Sequence, residues 1–215
     1  MPANKFCEHE GKHVLLVEGL DDCHVIMALC KAHNVPQHFG LYDCGNDDRV
    51  LKRANALVVQ PQAPQIIGIV LDADNGTDRR WQSIKDKLKD YDYRFPETLP
   101  AEGTIIKTIN GLPRLGVWLM PNNQVQGMLE DLCLDMVDVH TRGVVAQAVQ
   151  DAQDAGVCTF KQVHFSKAVV HTYLAWQDEP GFPLGLSITR TALKPSTQTA
   201  TLFTDWLKRL FDTAE

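Results

Sequence analysis

Carboxylates set just past apolar runs are the residues of this chain best suited to chemistry. Glu18 follows Val14-Leu15-Leu16-Val17, with Asp22 four positions on, and Asp72 and Asp74 follow Ile66-Ile67-Gly68-Ile69-Val70-Leu71. Aliphatic runs of this length indicate strands buried on both faces, as in a parallel sheet. Acids at the ends of such strands lie at the carboxyl edge of the sheet, where open α/β folds place their sites. Glu18, Asp22, Asp72 and Asp74 are therefore predicted to converge. Carboxylates that close repel one another unless a cation neutralises them, and hard oxygen ligands suit Mg²⁺ or Mn²⁺. Such a site serves phosphate chemistry, which needs charge on the nonbridging oxygens neutralised and a water or hydroxyl activated.

The elements that must position these acids follow from the pattern around them. A strand over about 13–18 leads into a helix over 21–33 whose Val25, Ile26, Leu29 and Cys30 share one face. Asn34-Val35-Pro36 ends it. Residues 39–44 form a second strand, Asp47 is a candidate cap, and helix 48–59 buries Leu51, Ala54, Leu57 and Val58. The Asp72 strand comes next, completing a β-α-β-α-β progression that favours a parallel sheet with helices on its faces. Asp72 and Asp74 alternate, so an extended strand would point them apart; both reach one site if the strand ends at Leu71 and turns at Asn75-Gly76.

Helix 78–91 buries Trp81, Ile84, Leu88 and Tyr91 and turns Arg79, Arg80, Lys85, Lys87 and Lys89 outward. That face is either a plain solvated surface or a grip for phosphates flanking a scissile bond, with Arg79 and Arg80 nearest the acids in sequence. Strands over 103–109 and 116–120 are joined by hairpin-like Asn110-Gly111-Leu112-Pro113-Arg114. A helix then follows with Leu129, Leu132, Cys133 and Met136 inside. Beyond 138 the pattern is helical: a helix capped at Thr141 and ending at Gly156, one over 164–176, a loop over 177–185, and a last helix over about 199–212. The expected organisation is an arm (1–11), an α/β core (12–137) and a helical extension packed on it (138–215).

A Glu-Gly at the end of one apolar strand and an Asp-x-Asp at the end of a later one resemble the Toprim domain, over roughly residues 12–135. That domain occurs in topoisomerases, bacterial primases, a ribosomal-RNA maturase, recombination proteins and OLD-family nucleases. Small stand-alone Toprim proteins without assigned function are the most similar subgroup. The resemblance implies a Toprim-like, mostly parallel sheet, with Glu18, Asp72 and Asp74 as the acidic triad and metal bound mainly through the aspartates. The OLD-family pattern further implies a Glu-x-x-x-Asp pair, matched by Glu18 and Asp22, a later glutamate, matched by Glu130, and a lysine, matched by Lys167. In that pattern the lysine stabilises transition-state charge. An acid favoured near a helix start and a solvated helix lysine are the plain alternatives for these last two. Zinc-binding cysteines of primases and a topoisomerase tyrosine region are not recognisable. There is no G-x-x-x-x-G-K-[ST] loop, so an OLD-like role would need a separate ATPase subunit.

Composition narrows the classes. The chain has 215 residues, is 44% apolar and 22% charged, and carries a formal net charge of −6, which argues against a broad basic nucleic-acid face. Any nucleic acid must use a local patch. No apolar stretch reaches the ~20 residues of a membrane helix, and the first residues lack a secretory pattern, so a cytoplasmic protein is expected. Six cysteines without a C-x-x-C pair are expected as reduced thiols, and Cys7, His9 and His13 match no usual zinc spacing. The leading expectation is Mg²⁺- or Mn²⁺-dependent phosphodiester hydrolysis of nuclease type, catalysed through Glu18. The alternatives are a non-catalytic metal-binding Toprim module that binds nucleic acid or regulates a partner ATPase, and a phospho-aspartyl phosphatase. The last expects Thr or Val two residues after the second Asp, whereas Thr77 lies three after Asp74.

Overall fold

A computed structural model describes residues 12–107 and 111–212. The predicted arm (1–11, with Cys7 and His9) and the strand end and turn at Thr108–Asn110 lie outside the described residues. A five-stranded sheet runs in the order β2-β1-β3-β5-β4. Its strands are β1 (His13–Val17), β2 (Gly40–Asp43), β3 (Ile66–Asp72), β4 (Thr104–Ile106) and β5 (Arg114–Met120). The pairs β1–β2, β1–β3 and β3–β5 are parallel, and only β4 runs antiparallel, against β5. The chain is thus an α/β fold with a mostly parallel sheet, helices on both faces, and further helices after the sheet.

Alternation along the strands divides the core into two apolar layers. Leu15, Val17, Val70, Trp118 and Met120 face one side, with α1 (Leu20–Ala32), α4 (Leu129–Asp135), α5 (Val139–Asp154), α6 (Phe165–Ala175), α7 (Leu184–Thr189) and α8 (Gln198–Phe211). Leu16, Ile67, Ile69, Val117 and Leu119 face the other, with α2 (Asp47–Val58) and α3 (Thr77–Lys87). Two glycines admit α8 to the sheet. A Cβ on Gly116 would stand 2.4 Å from Leu210 Cδ2, and one on Gly68 would stand 3.0 Å from the same methyl. Trp206 of α8 donates its indole N–H to the Thr104 carbonyl at 3.1 Å, tying the helix to β4.

Several boundaries differ from the sequence reading. Asn46, not Asp47, caps α2, its side chain accepting the Arg49 amide at 2.9 Å. Asp138, not Thr141, caps α5, by accepting the Thr141 amide at 3.0 Å. α3 stops at Lys87, so Lys89 and Tyr91 lie past it. β3 continues through Asp72 rather than ending at Leu71. α7 begins inside the stretch expected to be a loop. Cys23, Cys30 and Cys133 are buried and, as expected, form no disulfide among the described residues, and burial raises Cys30 to about 12. Among the described residues no helix is long and apolar enough to cross a membrane.

Candidate active site

Register sets the position of the first acids. Because β1 and β3 run parallel as neighbours, Glu18, just past β1, comes beside Asp72 at the end of β3. Glu18 Oε1 accepts the Asp72 amide at 2.8 Å. Asp72 Oδ1 in turn accepts the Leu129 amide at 2.9 Å, at the first residue of α4, where backbone N–H groups lack partners within the helix. Asp22, in the first turn of α1, is 9% exposed, and its Oδ2 accepts the Gly19 amide at 3.1 Å.

α4 and α6 close this group from the side. Glu130 is 5% exposed, and its Oε1 meets Lys167 Nζ at 3.0 Å. The neighbouring pair does the same work: Ser166 Oγ donates to Asp131 Oδ1 at 2.6 Å, while Asp131 Oδ2 accepts the Met128 amide at 2.8 Å. Adjacent contacts thus fasten α6 to the start of α4, and Lys167 arrives at the acids from far along the chain.

The electrostatics show that these carboxyls act on one another. Burial foremost, then Asp22, Glu18 and Glu130, push the Asp72 carboxyl up to about 9. Burial and then Glu18 push Asp22 up to about 7. Glu18 is also raised by burial, against the opposing pull of the Asp72 amide and Arg80. The hydrogen bond to Glu130 raises Lys167 and favours its charged form. The structure therefore brings Glu18, Asp22, Asp72, Glu130 and Lys167 together.

Asp74 is held differently. Its backbone takes a left-handed φ of 48° and exchanges hydrogen bonds with Gly127, N–H to O at 2.8 Å and O from N–H at 3.1 Å. Its carboxylate pairs with Arg80, whose other terminal nitrogen pairs with Asp47. Burial opposes the Arg80 charge, but Asp47 and Asp74 outweigh it and leave the guanidinium pKa raised. Arg80, with its side chain 13% exposed, is thus engaged within the protein rather than turned out with the other cations. Arg79 is exposed and borders two adjoining hollows of about 350 and 580 Å³. Lys87 borders the wider hollow with Asp48 and Asp86, whereas Lys85 lies 5.9 Å from the Trp81 ring centroid.

Among the described residues, no three His, Cys, Asp or Glu side chains stand ready around a point that could hold a metal ion. The hydrogen bonds explain why: Glu18 turns to the Asp72 amide, Asp72 to α4, Asp22 to Gly19 and Glu130 to Lys167. The donor set nevertheless fits a hard divalent cation. It is all carboxylate oxygen, and burial together with the neighbouring acids raises the Asp72 carboxyl, a cost that a cation would offset.

Gly127, Ser166 and Asp47 gained no site role from the sequence, whereas Asp131 stands beside Glu130 among its further acids. Gly127 precedes the Met128-Leu129-Glu130-Asp131 run. A Cβ there would stand 2.6 Å from Asp131 Oδ2.

The family described as Protein of unknown function (DUF3226) matches residues 12–212. No curated protein matches. Among solved structures, the C-terminal region of the OLD protein of Xanthomonas campestris pv. campestris is similar over 93% of this chain and 96% of that one. The identity is 14% and the TM-score 0.43.

Proposed function

The chain belongs to the DUF3226 family, and from its own residues we propose that it is a divalent-metal-dependent phosphodiester hydrolase of nuclease type. One observation carries the reading: acids and a cation from separate elements, Glu18, Asp22, Asp72, Glu130 and Lys167, meet at the carboxyl edge of a parallel sheet. The resemblance of the same motifs to Toprim domains and OLD-family nucleases points the same way.

Asp22, Asp72, Asp74 and Glu130 are the ligands in this reading, and Mg²⁺ or Mn²⁺ bound there would neutralise phosphate charge and lower the pKa of an attacking water. Glu18 keeps Oε1 on the Asp72 amide, which fixes its carboxyl and leaves Oε2 to exchange a proton with the attacking or leaving oxygen. Lys167, held by Glu130 and half exposed, presents fixed positive charge to the nonbridging oxygens. Arg79 and Lys87 line the furrow beside α3 and take phosphates away from the scissile bond, giving a local nucleic-acid contact on an acidic chain.

The test is a panel of labelled DNA and RNA strands incubated with Mg²⁺ or Mn²⁺, with Asp72→Asn as the control for contaminating nuclease. Cleavage that needs the divalent ion and vanishes in the variant supports the reading. Metal binding without cleavage of any substrate would replace it with a non-catalytic, metal-binding module.

A further inference from the structure

Arg80 differs from the other cations of α3 in where its charge is spent. Its guanidinium spans two carboxylates from different elements, Asp47 at the start of α2 and Asp74 past the end of β3. Asp47, Asp74 and Arg80 line the same narrow hollow, together with Ala73, Asn75 and Gly76. The backbone of Asp74 is tied to Gly127 through both its N–H and its C=O. The carboxylate can still turn about its side-chain bonds. Glu18 feels Arg80, Asp47 and Asp74 together, so this group borders the acids that gather around Asp72.

We propose that Arg80 is a positioning residue that holds Asp74 in reserve: its planar fork clamps Asp74 to Asp47, and a divalent cation at the neighbouring acids must draw the Asp74 carboxylate off that clamp. This deepens the metal-dependent reading and rests on it. An arginine suits the role because its donors form a rigid fork that spans two acceptors, which a lysine ammonium does not reproduce. The clamp makes Arg80 a competitor of the cation for one carboxylate.

Competition has a measurable sign. Calorimetric Mn²⁺ titration of the full chain compares wild type, Arg80→Gln, Asp74→Asn and the double variant, with circular dichroism to confirm folding. Arg80→Gln is expected to bind Mn²⁺ more tightly, on the order of tenfold, because the released carboxylate no longer has a fixed cation beside it. The gain should vanish in the Asp74→Asn background, where no carboxylate remains to be released. Equal or weaker binding by Arg80→Gln overturns the clamp, and so does a gain of the same size in both backgrounds. If Arg80→Gln fails to fold, Arg80→Lys decides: tighter Mn²⁺ binding than wild type supports the clamp, and unchanged or weaker binding overturns it. Wild type that binds while Arg80→Gln shows no gain removes the clamp alone. Absence of binding by both removes the metal reading as well.

Discussion

Replacing Asp72 by asparagine should stabilise the metal-free protein. The folded carboxyl lies at about 9 against an ordinary 3.8, mainly through burial and then through Asp22, Glu18 and Glu130. A carboxyl raised by folding contributes its full stability below its ordinary pKa and loses that contribution as pH rises toward the folded value. From 3.8 to pH 7 is about three pH units, and at about 1.4 kcal/mol per unit the ceiling of the loss is about 4 kcal/mol. The neighbouring acids share protons with Asp72, so about half of that, roughly 2 kcal/mol, is the better expectation. Asparagine carries no charge and keeps an oxygen for the Leu129 amide, so it removes the cost while retaining the cap. For a chain of this size the gain corresponds to a Tm rise of roughly 4–8 °C. Scanning calorimetry in EDTA at pH 5, 7 and 8 is the assay. The gap between variant and wild type should widen with pH, and millimolar Mn²⁺ should narrow or reverse it by binding wild type more strongly. A variant no more stable than wild type at pH 8, or a gap independent of pH, would refute the reasoning.

Glu18→Gln should depress turnover more than Mn²⁺ affinity, as seen by setting kcat beside calorimetric Kd; an equal loss of both would make Glu18 a plain ligand. Arg79→Ala with Lys87→Ala should weaken oligonucleotide binding in Ca²⁺ and reduce its log-log salt slope by roughly 1–2, whereas an unchanged slope would leave these as solvated residues. Lys167→Met should lower kcat and strip Glu130 of its ion-pair partner at 3.0 Å, while wild-type activity would remove Lys167 from the site. Gly116→Ala should cost about 1–3 kcal/mol in urea unfolding by forcing Leu210 away, with the Mn²⁺ Kd unchanged.

β1 and β3 and their carboxyl-edge acids were legible because each is a short apolar run with an acid at its end. Helical periodicity likewise revealed α1, α2 and α8. Other features depend on contacts that spacing does not encode. α7 spans only Leu184–Thr189, too short to show periodicity, and Gly185 within it suggests a breaker. That glycine is instead a packing requirement, since a Cβ there would stand 2.6 Å from the His24 carbonyl oxygen of α1. Asp138 and Thr141 are both capping types three residues apart, and only the hydrogen bond distinguishes cap from capped. Asp72 and Asp74 looked equivalent in sequence, yet one accepts the start of α4 and the other meets Arg80. A motif names the acids but not the partners that later elements bring to them.

The fit of α8 over Gly68 and Gly116 also bears on how the chain acquires its structure during synthesis. α8 follows every strand in chain order, so while the ribosome is still making the preceding helices, β3 and β5 present a bare trough where Leu210 will sit. The sheet can pair early, but this face stays open to water and to other nascent chains until α8 emerges. Slow translation or arrest just before α8 would therefore be more hazardous than a pause earlier in the chain, and chaperone dependence should concentrate in that interval.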